Sequence, residues 1–354
     1  MNKYSKSFNL LLVSCCMLLL ASCKTDPAVI CSHPTHASPT GIVSKIAFGS
    51  CSKQDKDQPI LYSIVDQQPD IFAYLGDNIY GDTKDMSVLQ SKYGLLSCKP
   101  EFQNLLSSVY VIATWDDHDY GANDSGLDYP MKEESKQIFL EFWNEPYISE
   151  RRNHTGIYTS YYYGDSLHRL QVILLDCRTF RSLLIEDANG DYVANYDSSA
   201  TMLGSEQWAW LKNELMQPAK VRIIGSSTQF GREHNGYEAW ANFPLQQQKM
   251  FQTIRDAHAS GVVFMSGDVH IAELSVNNEP DLYPVYDLTS SGLTQLEGED
   301  IPNANRVGNS FLDYNFGMIE IDWSQPDPLI LFKASGLNGD AGITHSVNLS
   351  EISF

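Results

Sequence analysis

The chain is short of positive charge: 24 Lys and Arg stand against 44 Asp and Glu in 354 residues, a net charge of −20 with histidine neutral. A protein that holds nucleic acid through its phosphates needs a basic surface, so this class is disfavoured. The same imbalance disfavours any anionic substrate unless bound cations supply local positive charge. Cysteine is scarce, seven residues in all, too few and too scattered for a disulfide scaffold. No apolar run in the body reaches the ~20 residues of a spanning helix. Neither a repeat nor an interior linker breaks residues 45–354. Core-forming residues are in ordinary supply. Hydrophobic residues make up 43%, charged residues 19%, and there are 19 Tyr, 15 Phe and 6 Trp. That excludes disorder and gives enough apolar surface for a large core.

The N-terminus reads as a targeting segment. Lys3 and Lys6 precede an apolar stretch from Leu10 to Leu20, of secretory-signal length. It ends in Leu20-Ala21-Ser22-Cys23, which resembles a bacterial lipobox. The resemblance implies a signal peptide over 1–22 and lipidation of Cys23, whose two sulfur-linked acyl chains suffice for stable anchoring. Lys24, where Asp would favour inner-membrane retention, points outward, to a periplasm-facing or surface lipoprotein of the outer membrane. Loss of 1–22 removes two lysines and no acids, so the mature charge is 22 − 44 = −22. Residues 23–44, rich in Pro, Ser and Thr, read as a tether, with His33 and His36 as solvated linker residues. Cys31, Cys51, Cys98 and Cys177 remain after processing. One disulfide among them suits an exported protein, and the sequence does not choose the pair.

From Lys45 onward short apolar strands alternate with amphipathic helices. Strands are expected at KIAFGSC, Ile71 to Leu75, Val109 to Trp115, GIYTSYYYG, LHRLQVILLD, VRIIGSS and GVVFMSGD. Helices are expected at Ile60 to Val65, Met86 to Leu106, Lys132 to Asn144, LGSEQWAWLKNEL and Leu245 to His258. The last sixty or so residues hold strand candidates only. Alternation argues for parallel βαβ units, and the late strands for added antiparallel pairing. The fold class is a single α/β domain, 45–354, of two mixed sheets with helices outside.

Five buried-looking strands end in polar clusters: Gly49-Ser50-Cys51, Gly76-Asp77-Asn78-Ile79-Tyr80, Trp115-Asp116-Asp117-His118-Asp119, Gly225-Ser226-Ser227 and Gly267-Asp268-Val269-His270. Ligands of open α/β sheets bind beyond the carboxyl ends of the strands, so parallel pairing would bring these clusters to one crevice. Asp77, Asp117 and Asp268 offer carboxylates, Tyr80 a phenolate, Cys51 a thiolate, and His118 and His270 imidazoles. An oxygen-rich set with a few softer donors fits Fe, Mn, Mg or Ca better than a structural zinc. A coordinated phenolate calls for a strong Lewis acid such as Fe³⁺.

The ordered combination FGSC, GDNIY, WDDHD and GDVH, with LGSEQWAWL between, resembles the PhoD-type alkaline phosphatase/phosphodiesterase family over roughly 45–320. The GDxxY element also stands in purple acid phosphatases. The resemblance implies a four-layer α/β/β/α sandwich and a two-metal centre hydrolysing phosphate monoesters, diesters or both. It implies Fe³⁺ on Cys51, Asp77, Tyr80 and His270, and Ca²⁺ on Asp77, Asp117 and Asp268, with Mn²⁺, Mg²⁺ or Zn²⁺ as other occupants. Asp77 would bridge the two ions, and His118 would contact substrate or act as general acid. Arg178, Asn78 and His234 are the candidates for substrate contact. Arg178 could instead pair with Asp176, and the loop from Gln229 to Pro244 resembles the family's substrate-facing loop only loosely. The partner implied is a small phosphate ester, and the chain is expected to act as a monomer.

Blander readings stand beside these. Cys51 alone would more often be a small buried hydrophobe, or a nucleophile paired with His118. Tyr80 could be core packing, and Asp116 and Asp119 could simply hold loop amides. Two other functions remain open to the sequence: a metal-assisted hydrolase of a non-phosphate ester, and a non-catalytic surface lipoprotein retaining the fold.

Overall fold

The computed structural model describes residues 30–233 and 236–354. The signal segment, Cys23 and His234 therefore lie outside the described residues. The chain begins with β1 (Lys45–Gly49), α1 (Ile60–Asp66), β2 (Ile71–Leu75), α2 (Met86–Ser97), α3 (Pro100–Ser108) and β3 (Tyr110–Thr114). A one-turn α4 (Asp117–Tyr120), α5 (Lys132–Phe142), β4 (Thr159–Tyr163) and β5 (Leu170–Leu174) follow. Next come a small hairpin, β6 (Ile185–Glu186) and β7 (Tyr192–Val193), then α6 (Gly204–Leu215), β8 (Val221–Ser226), α7 (Pro244–Asp256) and β9 (Val262–Ser266). The chain closes with β10 (Ala272–Asn277), β11 (Val285–Ser290), β12 (Phe316–Asp322), β13 (Leu329–Ser335) and β14 (Ala341–Asn348).

Two six-stranded sheets result, ordered β14-β13-β12-β1-β2-β3 and β10-β11-β9-β8-β5-β4. β1, β2 and β3 pair in parallel, as do β5, β8, β9 and β11. The late strands β12 to β14 add antiparallel pairs to the first sheet, and β4 and β10 form antiparallel edges of the second. The period-2 alternation of side chains decides the layering. In β2, Ile71, Ala73 and Leu75 join the core shared with Val172, Leu174, Ile223 and Phe264 of the second sheet. Phe72 and Tyr74 point the other way, into a core with Leu61, Leu89, Phe102 and Phe139 of the helices. Leu211, Leu215, Met250 and Ile254 of α6 and α7 complete the inner core. The four layers expected from the sequence are present.

Three local differences have simple causes. The single helix expected over Met86 to Leu106 is two, because Pro100 lacks the N–H and clashes with the preceding turn; it starts α3 instead. β10 lies where the sequence pattern predicts no strand, since Ala272-Glu273-Leu274-Ser275 places a charge and a hydroxyl where a core strand is expected to be apolar, and both are fully buried. Part of the expected tether is held against the domain. Cys31 and Cys98 form a disulfide, and His33 packs edge-on against Phe142 with ring centroids 4.6 Å apart, so it is not the solvated residue expected.

Candidate metal centre

Parallel pairing within each sheet brings the carboxyl ends of β1, β2, β3, β8 and β9 together. The loops meet closely. A Cβ on Gly76 would lie 2.4 Å from the Asp116 Cβ, so only glycine, here at φ +106°, lets the β2 and β3 loops touch. Ser227 after β8 donates to Asp116 Oδ1 at 2.6 Å, joining the second sheet to the first. Left-handed backbone at non-glycine residues is uncommon and costs on the order of 1–3 kcal/mol. Here it falls on Cys51 (φ 62°), Asp77 (49°), Asp268 (83°) and His270 (59°). Four of the six ligand candidates thus sit in strained turns that re-aim their side chains from the sheet edge into the crevice.

Cys51 Sγ lies 3.5 Å from Asp77 Oδ2, and Tyr80 Oη lies 3.3 Å from His270 Nε2. Cys51, Asp77 and His270 each offer one donor atom within 4.8 Å of the others. The same holds for Asp77, Asp117 and His118, and for Asp116, Asp117 and Asp268. All six predicted ligands are therefore brought together, and Asp77 belongs to two groups at once. His118 Nδ1 lies 2.6 Å from Asp82 Oδ1, and its ring packs at 4.2 Å on that of Tyr80.

The electrostatics of the donor set suit cations. Burial, then the neighbouring Asp117, Asp116 and Asp119, push the Asp77 carboxyl well above the usual carboxylate range. Burial and then Asp116 and Asp117 do the same to Asp268. Burial holds Asp119 at about 8, and Asp116 reaches about 7 despite the attraction of Arg178. Burial and then Asp77 raise the Cys51 thiol; burial and then the nearby Cys51 and Asp77 raise the Tyr80 phenol. His270 falls to about 4 through burial and the charge of His118. Burial is also the largest influence on His118, but Asp82, Asp117 and Asp268 together outweigh it and raise the imidazole to about 9. Asp77 Oδ1 and Asp116 Oδ2 are buried with no hydrogen-bond partner. Orphaned, mutually repelling carboxylate oxygens are costly as they stand, and positive ions would satisfy them.

The expected substrate contacts fare differently. Asn78 is fully buried and donates to Thr114 O at 2.9 Å and to Asp119 Oδ2, tying the two loops together rather than facing a ligand. Arg178 is also fully buried. Its Nε bonds Asp116 Oδ1, its Nη1 lies 2.7 Å from Glu238 Oε2 and its Nη2 lies 3.9 Å from Asp117 Oδ1. It neither reaches for phosphate nor pairs its side chain with Asp176, whose carboxylate accepts the Arg178 and Thr179 amides at 2.9 Å. Sequence reasoning also missed residues at the site. Asp82 orients His118, and Asp124 and Glu238 cluster with Asp117; they lie in loops without periodicity, where only folding shows proximity. The cavity here is about 330 Å³, lined by Asp77, Asp117, His118, Asp124, Asp268 and His270 among others. A larger one, about 600 Å³, opens between His33–His36 and the β3–β4 edges. It gathers no cluster of ligand-type side chains among the described residues, so the chemistry singles out the smaller cavity.

Two mixed sheets packed face to face, with hard donors gathered at the strand ends, define the metallophosphoesterase fold. A dimetal phosphatase from Danio rerio shares it at TM-score 0.55 and 11% identity, over 87% of this chain and 99% of that one. A structure of PhoD matches at TM-score 0.66 and 16% identity, over 88% of this chain and 73% of that one. The chain belongs to the PhoD-like phosphatase family, whose model matches residues 89–291. Alkaline phosphatase D of Bacillus subtilis (strain 168) is 26% identical over 297 residues, 71% of this chain. The chain spans about half, 49%, of that relative's length.

Proposed function

We propose that the chain hydrolyses phosphate monoesters, diesters or both at a two-metal centre, with Cys51, Asp77, Tyr80 and His270 holding Fe³⁺ and Asp77, Asp117 and Asp268 holding Ca²⁺. The observation that carries this reading is the position of Asp77, whose carboxylate stands both with Cys51 and His270 and with Asp117 and His118. Asp117 is shared by three groups, but among the described residues only Asp77 links the Cys51–His270 group to the Asp117 side, as a bridging ligand must. Two ions, when bound by these residues, would polarise the phosphoryl oxygens and lower the pKa of an attacking water. Tyr80, a hard oxygen donor, and Cys51, a soft sulfur donor, on one group fit iron; three carboxylates on the other fit calcium.

The protein's own residues then divide the remaining work. With Nδ1 engaged by Asp82, His118 keeps Nε2 for the substrate and can donate a proton to the leaving oxygen, a role worth about 10² to 10⁴-fold. Arg178 holds Asp116 and Glu238 in place behind the site. We further propose export and anchoring through Cys23, with the catalytic domain outside the inner membrane; no described helix is long and apolar enough to cross one.

The test uses protein from Lys24 onward, assayed on p-nitrophenyl phosphate and bis-p-nitrophenyl phosphate, with elemental analysis and chelation alongside. Chelator-sensitive turnover with iron and calcium bound is expected. Metal-replete protein inactive on both substrates would sink the reading. Radiolabelled fatty acid incorporated by the full chain, but not by its Cys23→Ser variant, tests the anchor.

A further inference from the structure

The chain leaving β8 makes a turn at Gln229-Phe230-Gly231 that the proposed chemistry does not use. Asp287 Oδ2 accepts the amides of Phe230 and Gly231 at 3.0 and 2.8 Å. A Cβ on Gly231 would lie 2.7 Å from the Asp287 Cβ and 2.9 Å from the Ser275 Cβ, so glycine alone lets the turn press this close to β10 and β11. The next residue, Arg232, is 1% exposed and forms part of the wall of the 330 Å³ cavity. Among the described residues lining that cavity it is the only Lys or Arg, facing six carboxylates.

Its guanidinium is held but not spent. Nη1 donates to Gln229 Oε1 at 3.1 Å and Nη2 to Ile301 O at 3.3 Å. Nε makes no hydrogen bond, the Glu273 Oε1 being 3.7 Å away. A guanidinium carries five N–H donors, so most remain uncommitted. Nor is its charge matched closely. Glu273 already accepts from Arg306 Nε at 2.7 Å and Gln229 Nε2 at 2.8 Å. Arg306's second partner, Asp300, is 55% exposed at its side chain and in contact with water. One buried and one partly exposed guanidinium group thus share one buried carboxylate. The charges that act most on Arg232 are Glu273, Arg306 and Asp300, none of them a strand-end carboxylate. It meets Ile301 O on the cavity wall, and no ion pair joins it to Asp77, Asp117 or Asp268. Arg178, by contrast, has Nε and Nη1 bonded to Asp116 and Glu238, and only its Nη2, 3.9 Å from Asp117 Oδ1, is without a hydrogen bond.

We propose that Arg232 binds a second phosphate, carried on the alcohol portion of the ester, and so selects substrates with an anionic group beyond the scissile phosphoryl. A buried arginine with free donors meets phosphate oxygens through charge-assisted hydrogen bonds that an uncharged alcohol portion does not offer. Glu273 and Gln229 act as positioning residues that aim it. This selection rests on the phosphoesterase reading above.

The test compares thymidine 5′-(p-nitrophenyl phosphate) with the same ester bearing a 3′-phosphate, on metal-replete protein from Lys24 onward. The added phosphate is expected to raise kcat/KM about tenfold in the wild type, mainly through KM. In Arg232→Ala the two esters become equal, and Arg232→Lys keeps part of the preference. Arg232→Gln, which retains donors for Gln229 and Ile301, serves where alanine fails to fold. A preference absent from the wild type, or unchanged in a folded variant, overturns the proposal. Calorimetric affinities for thymidine 5′-phosphate and thymidine 3′,5′-bisphosphate give the same comparison without turnover. Absent turnover with a retained Arg232-dependent affinity difference would count against the phosphoesterase reading alone.

Discussion

Asp82 Oδ1 and His118 Nδ1 lie 2.6 Å apart, joining the loop after β2 to the one-turn helix after β3. Asp82 fixes the imidazole and, with Asp117 and Asp268, outweighs its burial to hold it protonated up to about 9. A general acid must carry its proton, so activity is expected to persist into alkaline solution and to fall as pH rises through that value. Asp82→Asn removes a raising influence. The alkaline limb of kcat against pH is expected to move to lower pH, with kcat reduced about tenfold at pH 8. A pH–rate profile of both proteins checks this; an unmoved limb would remove His118 from the acid role.

Asp77→Asn is expected to abolish turnover, as befits a bridging ligand, yet to stabilise the metal-free protein. A carboxyl whose folded pKa is raised contributes stability below the unfolded value near ~4 and loses it as pH rises through the folded value. Burial and then Asp117, Asp116 and Asp119 raise Asp77 in this way, so by pH 8 its charge works against the folded state. Thermal melts of stripped protein at pH 8 should place the variant a few degrees above wild type. Adding metal should raise the wild type alone and reverse the order.

Arg178→Ala is expected to act as a structural lesion rather than as the loss of a substrate contact. It leaves the buried Asp116 without its ion-pair partner and Glu238 with Arg181 alone, a change that costs about 3–5 kcal/mol. Lysine, with a single ammonium, cannot span both carboxylates and should rescue little. Melting temperature and bound metal should fall together. A variant of normal stability and metal content with only KM raised would restore the phosphate contact for Arg178.

The Cys31–Cys98 bridge closes a loop with a sequence separation of 67 residues, a constraint on the unfolded chain worth about 4 kcal/mol. Cys31→Ser/Cys98→Ser protein is expected to melt several degrees lower and to be cut by protease within 31–44. Turnover at 25 °C should be unchanged, because neither cysteine lines the cavity. Melts with and without reductant, alongside the assay, check both parts.

Much of the site was legible in the sequence because strand-end chemistry is local. A strand must end in a turn, and a glycine followed by Asp, Cys or His at that turn marks a side chain released from the sheet. Cys51, Asp77, Tyr80, Asp268 and His270 were visible in that way, and Asp117 through the run of acids that follows Trp115. Asn78 looked like a substrate contact because it shares one of those loops, and Arg178 because it stands at a further strand end and resembles a recurring arginine of the family. Their direction was not legible, since adjacent side chains of one turn can point to a ligand or into the protein. Asp82 carried no local mark, and Arg232 and Glu238 were marked only by lying in the loop from Gln229 to Pro244, without a role of their own. Each matters through a partner 36 to 60 residues away or through a cavity wall, and no short-range pattern encodes such distances.

The sequence by itself determined the alternation of strands and helices, the two mixed sheets and the inventory of hard and soft donors, because backbone periodicity and turn chemistry are short-range properties. Only the tertiary structure decided which donors share an oxygen's breadth of space, which cysteines bridge, and which arginine keeps its donors free. Those depend on how loops from two sheets meet at one edge, where burial and mutual repulsion, summed over residues distant in the chain, set the charge of each group.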